Sequence, residues 1–479
     1  MLLLARRLRL GHTTKLPIRL FNTVPHDGKE ITHTRGEPHS SPPATPPTHC
    51  APPNRPLGLL RFDDPKVAFG CLSTPELVRA WLVYYSLSFP LIVRNAESLY
   101  KLSVRLLGER NTHRVLKKTM FAQFCAGEDE FEVDRRIREL QSQGIGAILD
   151  YAAEAPIVNA GHDHEEDEHE RNTQIFMQTI GLSSRLGRSP VAVKVTGLAE
   201  ISLLEILSEY VVSSSFCSSS PSLPGIKDLK LPENLEISVR LLIDRLEKIS
   251  SAGVTAGVPV MFDAEWVAVQ PAIDWLSMQM MQRWNSRGSA AFLPVSTTYQ
   301  CYLRSTPIRI KSDLEISARL KFKIGVKLVR GAYMVREKAL SSLVICKDAN
   351  ETSKQYHEAI EVLKQSDQVG SVLLATHNEE SVRKGISAGS KFRIAQLLGM
   401  GDNLTNILAA EKFPVYKYLP FGPVGLVVPY LLRRAQENST LLGSPQVAVE
   451  RRLLSEALTR RVSDLWTSLS LSTNNTRRS

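Results

Sequence analysis

Eight short apolar runs, each closed by polar residues, recur along the second two thirds of the chain and restrict its fold more than any other feature. Gly144–Tyr151 delivers Asp150 and Tyr151, with Glu154 just beyond. Val191–Val195 ends in Lys194 and Thr196. Val258–Phe262 ends in Asp263 and Glu265, Leu293–Thr298 leads into Tyr299 and Gln300, and Phe322–Val329 leads into Arg330 and Tyr333. Ser371–Leu374 is followed by Thr376, His377 and Asn378, Phe392–Ala395 by Gln396, and Val415–Lys417 by Tyr418. Runs this short, apolar on both faces and bounded by turn residues read as buried parallel strands. Most are separated by stretches with helical spacing. Alternating strand and helix, with chemistry at the strand ends, predicts an α/β fold: a distorted (β/α)8 TIM barrel with an N-terminal helical segment and a C-terminal helix. A doubly wound sheet is the alternative, but it places its ligand at one switch point and not at every strand end.

Five regions follow. Residues 1–26 carry Arg6, Arg7, Arg9, Lys15 and Arg19 and no acid before Asp27, the composition of a mitochondrial targeting segment. Residues 27–56 are too rich in proline for a core element and read as a disordered linker. Residues 57–143 read as a helical region. One long helix is expected over Ser73–Leu102, capped by Ser73 or Thr74 with Pro75 in its first turn. Another spans Glu128–Gln143 on the spacing of Phe131, Val133, Ile137 and Leu140. The barrel occupies residues 144–440, with inserted loops at 155–175 and 212–230. Residues 441–479 form a C-terminal helix and tail. Within the first insertion, Gly161–Arg171 (GHDHEEDEHER) is so dense in charge that a solvated loop is favoured over a metal site.

Composition narrows the function. Much of the net charge of +10 sits at the chain ends, so it is no argument for a nucleic-acid partner. The six cysteines are scattered without CxxC spacing, which predicts reduced thiols and no zinc site. No run of 18 apolar residues exists, so no membrane-spanning helix is expected.

The segment Tyr418–Asn438 (YLPFGPVGLVVPYLLRRAQEN) carries the strongest chemical signal. Pro429 suits the first turn of a helix. Tyr430, Arg433, Arg434 and Glu437 then share one face. Two adjacent guanidinium groups repel unless an anion joins them, and arginine forks suit a carboxylate or phosphate. Lys194 and Lys327 lie in apolar strands, where an unpaired ammonium is costly. Asp263 reads either as a pocket acid or as a helix cap, and His377 as a hydrogen-bonding histidine. No nucleophile–histidine pair, metal cluster, GxGxxG or P-loop accompanies them. A hydrolase, kinase or zinc enzyme is thereby disfavoured. A cationic site for a hydride-accepting cofactor and a small anionic substrate fits.

In order along roughly three hundred residues, the chain resembles the proline dehydrogenase family, mitochondrial flavoenzymes that oxidise L-proline. The matching pieces are LDYAAE at Leu149–Glu154, VKVT at Val193–Thr196, DAE with QPAID at Asp263–Asp274, TYQCYL at Thr298–Leu303, VKLVRGAYM at Val326–Met334, ATHNEES at Ala375–Ser381, QLLGMGDNLT at Gln396–Thr405, and KYLPFGPV with PYLLRRAQEN at Lys417–Asn438.

The resemblance implies FAD across the C-terminal strand ends. Lys327 and Gln300 would meet the flavin ring. Val329, Arg330, Gly331, Ala332 and Tyr333 would lie along its ribityl and pyrophosphate, with Gly331 leaving room for the phosphate. Thr376, His377, Asn378 and Glu437 would touch its other side. Lys194, Arg433 and Arg434 would hold the proline carboxylate, Tyr430 would pack on the ring, Asp263 and Tyr418 would buttress the pocket, and Glu154 would pair with Arg433 as a gate. Electrons would pass to a quinone, with peripheral contact to the matrix side of the inner mitochondrial membrane. In the family a tyrosine at the Tyr430 position crowds a ring hydroxyl, which favours proline over hydroxyproline. Two departures stand out: Leu426 replaces a common glutamate, and the connection Ser381–Phe392 looks too short for its helix. A flavin-free or catalytically impaired relative is the alternative they suggest.

Overall fold

The computed structural model describes residues 60–152, 162–214, 216, 222–285, 293–334, 337, 344–441 and 445–475. The targeting segment and linker expected at 1–26 and 27–56 lie outside the described residues. The eight runs form eight parallel strands in a closed barrel, in chain order and with no crossover. They are β1 (Gly146–Tyr151), β2 (Val191–Val193), β3 (Val260–Phe262), β4 (Val295–Gln300), β5 (Ile324–Val329), β6 (Val369–Ala375), β7 (Phe392–Leu397) and β8 (Val415–Phe421). β8 closes on β1 with Ile148 opposite Tyr418, and β4 pairs with β5 with Thr298 opposite Lys327. Side chains alternate across each strand. The inward set includes Ile148, Ala192, Met261, Leu373 and Ala395, which form an apolar cluster with Tyr416 and Tyr418. Two residues further on, the same faces carry Asp150, Lys194 and Asp263. The polar groups are therefore concentrated at the C-terminal mouth.

Helices fill the connections and flank the barrel: α1 (Pro65–Phe69), α2 (Thr74–Leu87), α3 (Pro90–Arg94), α4 (Ala96–Leu107), α5 (Glu109–Leu116), α6 (Glu130–Ser142), α7 (His162–Arg185), α8 (Ile201–Ser213), α9 (Glu233–Ala256), α10 (Gln270–Trp284), α11 (Thr306–Leu320), α12 (Ala349–Gln365), α13 (Glu379–Ala388), α14 (Asp402–Ala410), α15 (Val424–Leu441) and α16 (Pro445–Asn475).

Several expectations are corrected. The single helix expected over Ser73–Leu102 is three, because Pro90 pushes Phe89 into an extended conformation (φ −91°, ψ 112°) and then opens a new helix. From His162 onward, the acid–histidine segment expected as a loop is helical and forms the start of α7. Residues 155–161 of that insertion lie outside the described residues. The second insertion holds the end of α8 and a short turn at Ile226–Leu229, with 215 and 217–221 outside the described residues. The connection after Ser381 does carry a helix: α13 is ten residues long, Asn378 caps it by accepting from Ser381 N at 2.9 Å, and β6 pairs with β7.

Pro429 does not open its helix; α15 starts at Val424. Pro423 O accepts the first turn's bonds from Leu426 N and Val427 N, and Glu128 Oε1 accepts from Val424 N at 3.0 Å. That carboxylate satisfies an amide that a helix end otherwise leaves bare. Pro429 sits exposed inside the helix, and the carbonyl it deprives belongs to exposed Gly425, so water can replace the bond. Leu426 is half-buried on this helix.

α15 does not lie along the barrel wall. Val424, Val427, Tyr430, Leu431 and Ala435 pack with Val83, Leu87, Val93, Phe121 and Phe124 of the N-terminal helical region, and with Ala152 and Leu397 at the ends of β1 and β7. The helix therefore caps the mouth. α16 docks on α1 and α2. A buried charge cluster outside the barrel pins this assembly. Lys417 Nζ on β8 meets Asp402 Oδ1 at 2.6 Å and donates to Met400 O at 2.7 Å. Glu450 of α16 accepts from Gly401 N and Asp402 N, both at 3.0 Å, at the start of α14. Burial, and then the neighbouring Asp402 charge, pushes the Glu450 carboxyl up to about 7.

Removing Lys417 leaves two acids buried side by side. Lys417→Met is expected to cost about 3–5 kcal/mol of stability and to lower the chemical denaturation midpoint. An unchanged midpoint would show that the cluster contributes nothing.

Candidate active site

Lys327, half-way up β5, points into the barrel and is 5% exposed. An ammonium there must be paired. Its Nζ forms an ion pair with Asp263 Oδ1 and lies 5.0 Å from the Tyr418 ring centroid. Tyr418 OH donates to Asp263 Oδ2 at 2.8 Å. Burial alone would raise Asp263, but the Lys327 and Lys194 charges and the two donors outweigh it and hold the carboxyl below its usual range. Burial, with the Asp150 and Asp263 charges, raises the Tyr418 phenol well above its ordinary value, so it stays a donor. Lys194 Nζ meets Asp150 Oδ1 at 2.7 Å. Two acids and two lysines from β1, β2, β3 and β5 thus interlock across the barrel mouth.

A second set ties neighbouring strand ends together. Glu265, after β3, accepts from Thr196 N at 3.0 Å and from Thr196 Oγ1 at 2.5 Å, while Glu265 O accepts from Gln300 Nε2 at 2.6 Å. Burial raises the Glu265 carboxyl to about 7 against those two bonds. Arg330 donates to Ser353 Oγ and Ser381 Oγ, both at 2.9 Å, and lies 5.3 Å from the Tyr356 ring centroid. Desolvation lowers its guanidinium pKa from the ordinary value. Thr376 Oγ1 accepts from Asn378 N at 3.1 Å. His377 Nε2 accepts from Leu397 N at 3.2 Å. Burial, then the Lys417, Arg434 and Arg330 charges, pushes that imidazole down to about 3, so it is neutral at physiological pH.

Gly331 has φ +124°, and a Cβ there would lie 1.9 Å from the Tyr302 ring. The glycine is thus required by the packing of Tyr302, whose hydroxyl donates to buried Glu337. Val329 is half-buried, Ala332 is exposed, and the Tyr333 ring stands edge-on to Trp266 at 6.0 Å.

Over the mouth, α15 buries Tyr430 and Arg434, at 3% and 6% exposure, and half-buries Arg433. The Arg434 and Arg433 guanidinium carbons lie 5.0 Å and 5.9 Å from the Tyr430 ring centroid. Arg434 is close enough to His377 to depress it. Arg434 therefore lies on the side of α15 that faces the strand ends.

Lys194, Asp263, Lys327, Tyr418, Gln300, Arg330, Thr376, His377, Tyr430 and Arg434 are thus gathered at one end of the barrel. Glu154 lies outside the described residues, as does the Glu437 side chain. Asp263 is not a helix cap; it is the shared acceptor of Lys327 and Tyr418. Asn378 has a capping role of its own. Asp150, Thr196 and Glu265 were read as polar strand ends but given no role in the site; an acid closing an apolar strand was the available signal for Asp150 and Glu265.

A sequence model described as proline dehydrogenase matches residues 133–444. The chain belongs to the proline dehydrogenase family. Membership makes it an oxidoreductase. It is 32% identical to a Xenopus laevis hydroxyproline dehydrogenase, over 96% of this chain and 99% of that one. It is 27% identical to the mitochondrial proline dehydrogenase 1 of Drosophila melanogaster, over 87% and 83% of the two chains. The fold is shared with the proline utilization A protein of Bdellovibrio bacteriovorus, at TM-score 0.56 and 17% identity over 80% of this chain and 37% of that longer one.

Glu265 gives this family member a pH signature. Its carboxyl holds a proton to about 7 when folded, against 4.5 as its ordinary value. The stabilising contribution of the protonated form is complete below pH 4.5 and is lost as pH rises through about 7. Glu265→Gln, which keeps an acceptor and a donor for Thr196, is expected to remove a slope of up to about 1.4 kcal/mol per pH unit from stability measured across that window. Identical slopes in both proteins would place the proton elsewhere.

Proposed function

We propose that the protein oxidises L-proline to Δ1-pyrroline-5-carboxylate with FAD bound across the C-terminal strand ends. Electrons pass to a membrane quinone on the matrix side of the inner mitochondrial membrane. The observation that carries this reading is the buried pair Tyr430 and Arg434 on α15, over a barrel mouth that also presents Lys194. The geometry suits an amino-acid carboxylate beneath an aromatic ring.

The donor set at the mouth also suits a flavin dinucleotide. Arg330 is largely desolvated and its hydrogen bonds go to hydroxyl groups, which leaves its charge available for a phosphate. Lys327 and Gln300 would face the ring system. Val329, Arg330, Gly331, Ala332 and Tyr333 would border the ribityl and pyrophosphate, and Thr376, His377, Asn378 and Glu437 the far side. When bound, the flavin would accept the hydride that leaves proline C5.

The chain's residues prepare that transfer. Lys194, Arg433 and Arg434 hold the carboxylate, and Tyr430 covers the pyrrolidine ring. Their positive field favours the neutral amine, whose lone pair forms the C5=N bond as the hydride departs. Asp263 and Tyr418 keep Lys327 and the pocket wall in place, and Glu154 would pair with Arg433 in the closed site. Holding the ring in a single pose removes much of the entropic barrier. A mitochondrial site agrees with the acid-free N-terminal segment and with the names of the proline dehydrogenase 1 relatives.

A second reading, oxidation of 4-hydroxyproline, is favoured by the name of the Xenopus relative. Tyr430 argues against it if its ring occupies the space of the added hydroxyl. The purified protein is expected to show a flavin spectrum that L-proline bleaches without oxygen, faster than 4-hydroxyproline does. A colourless protein, or bleaching by hydroxyproline alone, would reject the first reading. Arg434→Ala is expected to raise the KM for L-proline at least about thirtyfold while retaining flavin. A normal KM would remove Arg434 from the carboxylate clamp.

A further inference from the structure

The N-terminal helices leave an apolar face uncovered. Among the described residues, ten of the twenty-two exposed large apolar side chains fall between Leu82 and Val115. Leu91 is 77% exposed and Leu106 is 72% exposed. α4 has Leu99, Leu102 and Leu106 at helical spacing, all exposed, and buries no residue at all. An amphipathic helix normally turns its leucines to the core; this one turns them to solvent. The end of α2 adds an aromatic ladder: Trp81 stacks on Tyr85 at 5.2 Å, and Tyr85 meets Phe89 edge-on at 5.1 Å. Aromatic rings of this kind are favoured at membrane–water boundaries.

Charge says what covers the face. From Pro90 to Lys118 the chain carries Arg94, Lys101, Arg105, Arg110, Arg114, Lys117 and Lys118 against only Glu97 and Glu109. Glu97 is paired with Lys101 at 2.7 Å, and Lys117 is paired with Glu128 and Glu132, which leaves Arg94, Arg105, Arg110, Arg114 and Lys118 against Glu109. Exposed leucines and aromatics interleaved with this excess of cations match a bilayer with anionic headgroups. A protein partner of matching shape would require acids opposite every basic residue.

We propose that the outer face of α2–α5 is a docking surface for an anionic phospholipid bilayer, with the leucines of α3 and α4 entering the headgroup–acyl boundary. These helices pack directly on α15, so docking places the bilayer one helix layer from the mouth. Delivery of electrons to an acceptor in the bilayer rests on the function proposed above; the docking surface does not.

The test uses the full-length protein in flotation with phosphatidylcholine vesicles, with and without 30 mol% phosphatidylglycerol, next to the combined variant Leu91→Glu, Leu99→Glu, Leu102→Glu and Leu106→Glu. The wild type is expected to float only with the anionic vesicles, and to be released by high salt. The variant should float at least tenfold less, with unchanged turnover of a water-soluble acceptor and an unchanged melting temperature. Equal flotation of both proteins would overturn the proposal and place binding elsewhere, for example in residues 1–59. A wild type that stays unbound but forms dimers that the variant cannot would overturn it in favour of a second copy. Wild-type flotation without L-proline oxidation would sink the activity and leave the surface standing.

Discussion

A lysine inside a barrel core cannot be left alone, and the Lys327 ammonium determines much of what surrounds it. Its charge is removed from water on β5, and Asp263 on β3 and the Tyr418 ring on β8 answer it. Asp263 is in turn held ionised by Lys327, by Lys194 and by the Tyr418 hydroxyl. Lys194 brings in Asp150 from β1. Each charge in this group is tolerable only because of the next one, so strands distant in the chain are tied at a single level of the barrel. Such a network contributes little net stability compared with an apolar core. It fixes a polar constellation at one end of an otherwise apolar interior.

The second constraint is the place of α15. The last helix of a regular eight-unit barrel packs beside its strand. Here Glu128 caps it, the N-terminal helices cover its outer side, and Tyr430 and Arg434 are pressed toward the strand ends. The wall it vacates is taken by α1, α14 and α16, joined through Lys417, Asp402 and Glu450. The segments flanking the barrel therefore bear directly on the site: they hold down the helix that covers it.

The barrel was legible because it is written in local pattern: eight apolar runs at regular spacing, each with its polar ending. The lysines on β2 and β5 were legible for the same reason, as charges where apolar residues belong. What depends on pairing across strands was not. Asp150, Thr196 and Glu265 acquire their roles only when β1, β2, β3 and β4 stand side by side. Pro90 and Pro429 show the limits of local rules: the first breaks a helix whose start the Ser73 cap and Pro75 had marked, and the second is tolerated because Gly425 can give its carbonyl to water. Gly331 was singled out for room beside a phosphate, whereas Tyr302 gives the steric reason visible in the fold. The short connection to β7 looked deficient, yet ten residues suffice for its helix.

The account stands on one claim: positive charge from α15 and β2 converges on the carboxylate of a five-membered ring. The most direct test is a crystal structure of the flavin-loaded protein with tetrahydrofuran-2-carboxylate, which keeps the ring and the acid and lacks the reacting amine. The account predicts the carboxylate within hydrogen-bonding distance of Arg433, Arg434 and Lys194, with the ring against Tyr430. A ligand bound with its carboxylate away from all three cations, or arginines turned out to solvent around it, would contradict the account.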